Sequence, residues 1–378
     1  MRKFDRRTFV GLAAGFALAP SAPLGSGAPG PRRRLLQLNG YPINAETPLD
    51  AFTTYLTPND LFFVRDHWKE TIPDRKDWTL TIDGDVARPL RLGLGELMAM
   101  PKATATCVLQ CAGNGRGLHT PTVPGLQWTY GAVGNGRWTG VRVGDLLERA
   151  GVKGTARHLH SFGADAPPPR VPPFHRSLEL EKALANAIVA YEMNGEPLPP
   201  LHGAPARLVV PGWAGDHWMK WLVRLSAQPK PQEGFYMDVA YKYPNAPGPP
   251  GVPLRPEEMA PVRELFVKSN ITDAPTRVRL ATAATIRGFA FSGAPDIAKV
   301  EVSDDGGVTW RPAELGREHD PYAWRLWSYR WTPKAPGKAT LVARATDSRG
   351  SVQPREAVWN QSGYLYNAWH SVEIEVTP

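Results

Sequence analysis

The segment TCVLQCAGNGRG, residues 106–117, decides how the rest of the chain is interpreted, and it contains both cysteines of the protein. Small and β-branched residues from Ala105 to Leu109 predict a buried strand. The glycines that follow allow the backbone to turn tightly or to approach a ligand closely. Cys111 is therefore expected at the end of a strand, where it could bind a soft metal as a thiolate, act as a nucleophile, pair with Cys107, or simply pack.

This segment resembles a signature of the sulfite oxidase family of molybdenum enzymes, because residues 109–116 match the pattern Leu-Gln-Cys-Ala-Gly-Asn-x-Arg. In the family's order, further matching motifs extend the resemblance from about residue 50 to the end: FVRDH at 63–67, YEMNGEPL at 191–198, HGAPAR at 202–207, VPGW at 210–213, KWL at 220–222 and NAWH at 367–370. In that family the cysteine is the single protein ligand to molybdenum. The resemblance therefore implies that Cys111 binds the metal of a molybdenum-molybdopterin cofactor.

Residues 1–31 are interpreted as a targeting segment and are excluded from the fold prediction. The sequence DRRTFV at 5–10, followed by an apolar run at 11–19, is typical of a twin-arginine signal. That run is shorter than the roughly 20 residues that a membrane-spanning helix needs. We expect export of the folded, cofactor-loaded protein to the periplasm. A basic, unstructured start with an ordinary hydrophobic helix is the alternative.

The positive charge of the chain is concentrated at its start. The net charge is +8, but residues 1–34 contain seven basic residues and one acidic residue, which leaves 37 basic and 35 acidic residues in the remainder. A nearly neutral mature protein lacks the electrostatic footprint that nucleic-acid binding requires. No later stretch is apolar for long enough to cross a membrane, and two cysteines are too few for a disulfide framework.

The first domain, residues 32–260, is predicted to be α+β. Its many prolines and glycines are typical of short elements joined by tight turns. Gly151 is predicted to end one helix, and Ser177 is predicted to cap the start of another. The predicted elements include strands at 77–84 and 207–210 and helices at Leu92–Met98, Val143–Ala150 and Leu178–Asn186.

The second domain, residues 261–378, is predicted to be an all-β sandwich of the immunoglobulin type. Alternating segments follow one another at short spacing between Gly, Pro and Asp turns, at 277–280, 285–291, 298–303, 323–331, 338–346 and 371–376. DDGG at 304–307 is typical of a hairpin turn. The prolines between residues 244 and 253 predict an extended connector to the first domain. The family resemblance implies the same sandwich and its use in forming a homodimer.

Cationic and amide donors are expected to meet in one crevice that holds the phosphate and the pterin of the cofactor. Taken alone, Arg65 and His67 would fit an exposed basic strand end, but the resemblance places the arginine at the substrate pocket and the histidine against the pterin. The planar guanidinium of Arg65 suits the oxygens of an oxyanion. His217 stands where the family usually has an arginine, and it is a candidate for the same phosphate. The resemblance implies cofactor contacts for Phe63, Val64, Arg65, Asp66, His67, Asp165, His202, Arg207, Trp218, Met219 and Lys220.

The resemblance also implies which residues lie beside the metal. Tyr241 matches the tyrosine of a Tyr-Lys pair, whose phenol can donate a hydrogen bond to the substrate during oxygen transfer. Tyr243 is the alternative for this role. Arg116 joins Arg65 at the substrate, and Trp128 is either a wall of the pocket or a core aromatic residue.

The activity implied by the resemblance is a two-electron oxygen transfer to the sulfur of a small oxyanion, with sulfite as the leading substrate. The sequence contains no Cys-x-x-Cys-His haem site, so a separate soluble carrier, a c-type cytochrome, is expected to accept the electrons. Residues 359–363 read WNQSG where sulfite-oxidising members commonly have Trp-Asn-x-Arg-Gly, so Ser362 stands in place of a third cation. The alternatives are oxidation or reduction of a different sulfur compound, and a non-catalytic relative.

Overall fold

The computed structural model describes residues 34–69 and 71–378, so the predicted export signal at 1–31 lies outside the described residues. In the first domain the strands are β1 (Leu36–Asn39), β2 (Asn44–Glu46), β3 (Val64–Arg65), β4 (Thr79–Gly84), β5 (Leu90–Gly93), β6 (Ala103–Gln110), β7 (Val133–Arg142), β8 (His158–Gly163), β9 (His175–Glu179), β10 (Ile188–Met193), β11 (Glu196–Pro197), β12 (Arg207–Val209), β13 (Leu222–Gln228), β14 (Lys242–Pro244) and β15 (Met259–Pro261). The helices are α1 (Leu94–Met98), α2 (Val143–Ala150), α3 (Leu180–Asn186) and α4 (Phe235–Asp238), and short 3-10 turns cover Leu49–Ala51, Asn59–Leu61, Arg116–Leu118, Pro200–His202, Gly215–His217 and Pro256–Glu258.

Two sheets of the first domain share one hydrophobic core. One sheet has the order β11-β10-β7-β6, with β12 also paired to β10, and the other has the order β5-β4-β13-β8-β9. Leu80 on β4, Trp138 on β7 and Leu208 on β12 are fully buried in this core. A small sheet, β1-β2-β3, carries Arg65 at its end.

The strand that leads to Cys111 lies at the junction of the two domains. Among the described strands, β6 is the last in its sheet. Its outer edge is covered by the second domain, because the N–H of Val108 donates to the carbonyl oxygen of Tyr322 at 2.9 Å. The end of β6 is therefore hydrogen-bonded to β7 along one edge and to the second domain along the other.

The predicted helix at Val143–Ala150 is confirmed as α2. Leu146 and Leu147 are fully buried, as the apolar stripe of an amphipathic helix requires. Gly151 ends the helix with a φ of 68°, a left-handed conformation that glycine adopts at little cost. The prediction of a helix at Leu92–Met98 is too long by two residues, which belong to β5.

The predicted helix at Leu178–Asn186 is present as α3 but is two residues shorter, and the predicted cap at Ser177 is wrong. Residues His175–Glu179 form β9, and α3 begins only at Leu180. The Ser177 hydroxyl accepts a hydrogen bond from the N–H of Gln232 at 2.9 Å and caps no helix. Pairing of β9 with β8 overrides the local helix signal.

The second domain is a β-sandwich, as predicted. Its strands are β16 (Lys268–Asp273), β17 (Arg277–Arg279), β18 (Ala284–Phe291), β19 (Ile297–Ser303), β20 (Arg311–Pro312), β21 (Glu314–Leu315), β22 (Arg325–Trp331), β23 (Gly337–Asp347) and β24 (His370–Thr377). One sheet has the order β16-β18-β22-β21, the other has the order β17-β24-β23-β19-β20, and a separate core lies between them. Strand β16 was not predicted, because Lys268, Ser269 and Asn270 are polar although they are buried.

Of two predicted connections, the hairpin is present and the extended connector is not. The turn at 304–307 joins β19 to β20, which pair antiparallel with Val302 opposite Arg311, so the predicted hairpin is confirmed with a longer loop. The proline-rich segment at 244–253, predicted as an extended connector, is instead part of a loop between β14 and β15, which pair antiparallel with Lys242 opposite Pro261. None of the helices in the described part of the chain is long and apolar enough to span a bilayer.

Candidate active site

A cavity lies beside the end of β6. Its walls come from strand ends and turns that are far apart in the sequence, and most of the residues predicted to bind cofactor, substrate or metal line it. These are Phe63, Arg65, Asp66, His67, Cys111, Asp165, His202, Arg207, Trp218, Met219, Lys220 and Tyr241. The fold therefore brings twelve of the predicted residues to one place.

Cys111 directly follows β6, and its backbone is fixed on both sides. Its N–H donates to the carbonyl oxygen of Ala132 at 2.9 Å, and its own carbonyl oxygen accepts from the N–H of Asn114 at 3.0 Å. Gly115 has a φ of 91°, and a Cβ atom there would lie 2.7 Å from the Cβ of Tyr366. The turn therefore requires glycine at this position.

The two thiols of the chain have different surroundings. Cys107 and Cys111 are both free, so the disulfide alternative is excluded, and Cys107 is fully buried in the apolar core. Burial raises the pKa of the Cys111 thiol, and the positive charges of Arg65 and Arg116 oppose this shift only in part. A further cation at Cys111, such as a bound metal ion, would favour the thiolate form.

Arg207, which is buried, and Lys220, which is partly exposed, form a cationic wall of the cavity. Arg207 donates to the carbonyl oxygens of His202 at 2.8 Å and Trp218 at 3.1 Å, and none of the described residues accepts a hydrogen bond from its Nε. Burial lowers the pKa of Arg207 to about 9, so the guanidinium stays charged at neutral pH. The ammonium group of Lys220 pairs with Asp66. Such a wall suits a phosphate or another anionic group.

Tyr241 and His67 form a hydrogen-bonded pair, with 2.8 Å between the phenol oxygen and Nε2. Burial, together with the charges of Arg65, Lys220 and Arg176, lowers the pKa of His67 well below its usual range. Burial also raises the pKa of Tyr241 well above its usual range. Both side chains are therefore neutral at pH 7, and the phenol keeps its proton.

The conformation of Tyr241 separates it from its sequence alternative. Tyr241 has a φ of 55°, which is uncommon for a residue other than glycine and is typical of functional sites. Its ring stacks on Tyr364, with centroids 5.2 Å apart. Tyr243 lies in β14 and packs its ring against Phe266 at 5.0 Å, outside the cavity lining.

A buried ion pair beside Tyr241 was not predicted. Arg176 of β9 donates to Asp216 at 2.6 Å, and both side chains are 0% exposed. The guanidinium carbon lies 5.3 Å from the centroid of the Tyr241 ring, and Asp216 lines the cavity. His217, the candidate for the phosphate, lies behind this pair, with its Nε2 at 3.1 Å from Arg176 Nη2 and 2.8 Å from the carbonyl oxygen of Val262.

Besides the candidates His217 and Tyr243, three predicted residues lie outside the cavity lining: Val64, Arg116 and Trp128. Val64 is buried in β3. Arg116 donates through Nε to the carbonyl oxygen of Ser362 at 2.8 Å. Trp128 is fully buried, and its carbonyl oxygen accepts from the N–H of Gly117 at 3.0 Å. Arg116 and Trp128 therefore stabilise the loop that follows Cys111 from outside the cavity.

Comparison with known proteins identifies the family. A model described as oxidoreductase molybdopterin binding domain matches residues 69–236, and one described as Mo-co oxidoreductase dimerisation domain matches residues 260–377. Mitochondrial sulfite oxidase of Macaca fascicularis is 37% identical, over 92% of this chain and 67% of that protein. Sulfite oxidase of Arabidopsis thaliana is 33% identical, over 92% of this chain and 95% of that protein. The chain belongs to the sulfite oxidase family.

A solved structure supports the membership in the sulfite oxidase family. The crystal structure of the sulfane dehydrogenase SoxCD from Paracoccus pantotrophus is 29% identical to this chain, with a TM-score of 0.79 over 94% of this chain and 93% of that chain. The protein is thus a molybdopterin-dependent oxidoreductase acting on a sulfur donor, and its cofactor is molybdenum-molybdopterin. The predicted boundaries at residues 31 and 260 stay predictions.

The residues of the cavity fit this cofactor. In residues 34–69 and 71–378, no group of three or more His, Cys, Asp or Glu side chains could hold a metal ion. A metal bound to Cys111 would therefore take its other ligands from the cofactor. The cations Arg207 and Lys220, and the Nε of Arg207 in particular, offer donors to the anionic end of such a group.

Proposed function

We propose that this protein is an exported sulfite dehydrogenase, which transfers oxygen to sulfite and passes the electrons to a separate cytochrome. The observation that carries the proposal is that the thiol of Cys111, the guanidinium of Arg65 and the phenol of Tyr241 line the same cavity. They offer a soft ligand for molybdenum, a forked cation for an oxyanion, and a neutral hydrogen-bond donor. These are the groups that the reaction needs from the protein.

Cys111 would bind the metal, and the pterin would lie along Arg207 and Lys220. When bound, the cofactor supplies the two-electron redox chemistry and the oxygen transfer. The thiol must release its proton, because the thiolate is the form that binds a metal. Burial lowers the pKa of His202 to about 3, so His202 is neutral at pH 7 and the positive charge of the wall comes from Arg207 and Lys220.

Arg65 and Tyr241 would hold the substrate. The guanidinium of Arg65 is oriented by the carbonyl oxygen of Asp66 and by Oδ1 of Asn44, the latter at 3.4 Å. Tyr241 is positioned through its hydroxyl by His67. When Nε2 of His67 carries the ring proton and donates it to the phenol oxygen, the phenol proton is free for an oxygen of the substrate. The arginine would bind the anion, and the neutral phenol would orient it without adding negative charge.

The partners and the location are part of the same proposal. The twin-arginine pattern at 5–10 supports export to the periplasm. The match of residues 260–377 to a dimerisation domain supports a homodimer. The absence of a Cys-x-x-Cys-His site from the sequence supports electron transfer to a soluble c-type cytochrome.

A second candidate function is the oxidation of a sulfur compound other than sulfite. Two observations favour it: Ser362 stands where a third arginine is common, and the fold matches a sulfane dehydrogenase over nearly its whole length. The backbone oxygen of Ser362 accepts a hydrogen bond from Arg116. The loop at residues 359–363 therefore orients Arg116 but contributes no arginine of its own. A substrate with less negative charge than sulfite would suit such a pocket.

Substrate-dependent reduction of cytochrome c by the molybdenum-loaded protein tests the proposal. We expect turnover with sulfite and formation of one sulfate per two electrons. Thiosulfate and a protein-bound sulfane are the comparison substrates. Turnover with these alone would support the second candidate. Fully loaded protein that oxidises none of the three would contradict both.

A further inference from the structure

A buried lysine whose ammonium group makes no hydrogen bond to the described residues lies at the junction of the two domains. Lys268 begins β16 and is 1% exposed. Directly opposite it on β18 is Phe291, which packs in a cluster with Phe52 and Val108 of the first domain. Cross-strand neighbours share one face of a sheet. Lys268 therefore points away from the core of the sandwich and toward the first domain.

Aromatic rings from both domains surround the ammonium group of Lys268. Its Nζ lies 5.9 Å from the ring centroid of Tyr130 and 5.6 Å from that of Tyr366. The Tyr130 ring meets the ring of His370 edge-on at 4.6 Å, and the Tyr366 ring meets that of His119 at 5.1 Å. Both tyrosines are partly exposed, so the ammonium group of Lys268 lies beneath their rings, close to the protein surface.

This cluster contains more hydrogen-bond donors than acceptors. Within the described part of the chain, Nζ of Lys268 has no hydrogen-bond partner and no carboxylate beside it. The side-chain amide of Asn270, two residues along the same face of β16, has no partner there either. Nδ1 of His370 accepts from the N–H of Ile271 at 3.1 Å, so a neutral His370 carries its proton on Nε2 and offers a further donor.

A charged ammonium group in this place needs compensation. Burial lowers the pKa of Lys268 to about 7, and no described group of opposite charge raises it. Burial and the nearby positive charges lower the pKa of His119 and of His370 to about 4, so neither adds charge at neutral pH. The faces of the tyrosine rings attract a cation, but more weakly than a bound anion does.

We propose that Lys268, Asn270 and His370 form a binding site for a small inorganic anion, a halide or a sulfate-like oxyanion, at the junction of the two domains. None of the three lines the cavity of Cys111, so the two sites are separate. The anion accepts hydrogen bonds from the second domain while it lies under Tyr130 of the first. Because Tyr366 also packs on Gly115, the bound anion braces the loop of the metal-binding cysteine.

The test compares thermal unfolding of the cofactor-loaded wild type with that of Lys268→Met at constant ionic strength. Sodium gluconate, whose anion is far larger than bromide or sulfate, is replaced stepwise by sodium bromide and, separately, by sodium sulfate. An anion that binds only the folded protein stabilises it, so we expect the wild-type unfolding temperature to rise by about 2–4 °C more than that of the variant. General stabilisation by sulfate, and binding at the Cys111 cavity, affect both proteins equally. Parallel responses would overturn the proposal.

Lys182→Met is the matched control. Lys182 also lies over aromatic rings, at 5.7 Å from Trp213 and 5.3 Å from Tyr322, but its Nζ donates to the carbonyl oxygen of Pro211 at 2.7 Å. We expect its replacement to leave the anion response unchanged. If Lys268→Met does not fold, wild-type crystals soaked in bromide decide the question. An anomalous peak within hydrogen-bond distance of Nζ is expected, and its absence would overturn the site.

Discussion

Breaking the buried ion pair beside Tyr241 is expected to destabilise the protein strongly. Arg176 and Asp216 lie 2.6 Å apart, and neither side chain is exposed. Burial raises the pKa of Asp216 to about 7, so above that pH removing one partner leaves the other charge buried without its counter-ion. Such a change costs about 3–5 kcal/mol of the free energy of unfolding. We expect that loss in Arg176→Met and again in Asp216→Leu. The double variant, which removes both charges, is expected to lose far less than the sum, with a coupling of about 3 kcal/mol or more.

Denaturant unfolding of the four proteins at equal cofactor content measures this coupling. Arg224→Met is the matched control, because Arg224 pairs with Asp83 at a similar distance, 2.8 Å, but both side chains are partly exposed, at 44% and 26%. A surface pair of this kind contributes about 0–1 kcal/mol. An Arg176→Met variant no less stable than Arg224→Met, or additive losses in the double variant, would refute the reasoning.

Three further predictions concern substrate, catalysis and export. Ser362→Arg should lower the apparent KM for sulfite roughly 10- to 100-fold, because a hydrogen bond to a charged group contributes about 1.5–3 kcal/mol. An unchanged KM in steady-state kinetics would show that another residue supplies the positive charge. Tyr241→Phe should lower kcat by about 100-fold or more, because the phenol proton is lost. Tyr243→Phe, the control outside the cavity, should leave kcat nearly unchanged. A large loss of kcat in Tyr243→Phe and none in Tyr241→Phe would exchange the two assignments. Replacing Arg6 and Arg7 by lysine should leave the precursor in the cytoplasm, as cell fractionation would show, and normal arrival in the periplasm would rule out the twin-arginine route.

The parts of the fold that were predicted are those in which the local pattern and the tertiary packing agree. The apolar stripe of α2 is the same stripe that is buried, and its terminal Gly151 has the left-handed conformation that ends a helix. The loop after β6 was predicted from its glycines, and Gly115 indeed has a positive φ and a crowded surrounding. In both places the sequence signal lies within a few residues of the structural feature.

The parts that were missed depend on partners far away in the chain. Arg176 and Asp216 are 40 residues apart, and no local pattern connects them. The residues around Ser177 form a cap signal for a helix, which the pairing of β9 with β8 overrides. Strand β16 reads as polar because Lys268 and Asn270 face the other domain, so no alternation of apolar and polar residues marks it.

The central claim is that Cys111 binds molybdenum through its sulfur. X-ray absorption at the molybdenum edge counts the sulfur neighbours of the metal in the wild type, in Cys111→Ser and in Cys107→Ser, with metal content and sulfite turnover measured on the same samples. We predict one sulfur neighbour fewer and no turnover in Cys111→Ser, because a hydroxyl does not replace a thiolate ligand. Cys107→Ser should keep the wild-type count and most of the turnover, since Cys107 only packs in the core. An unchanged sulfur count in Cys111→Ser, or equal loss of turnover in both variants, would contradict the account.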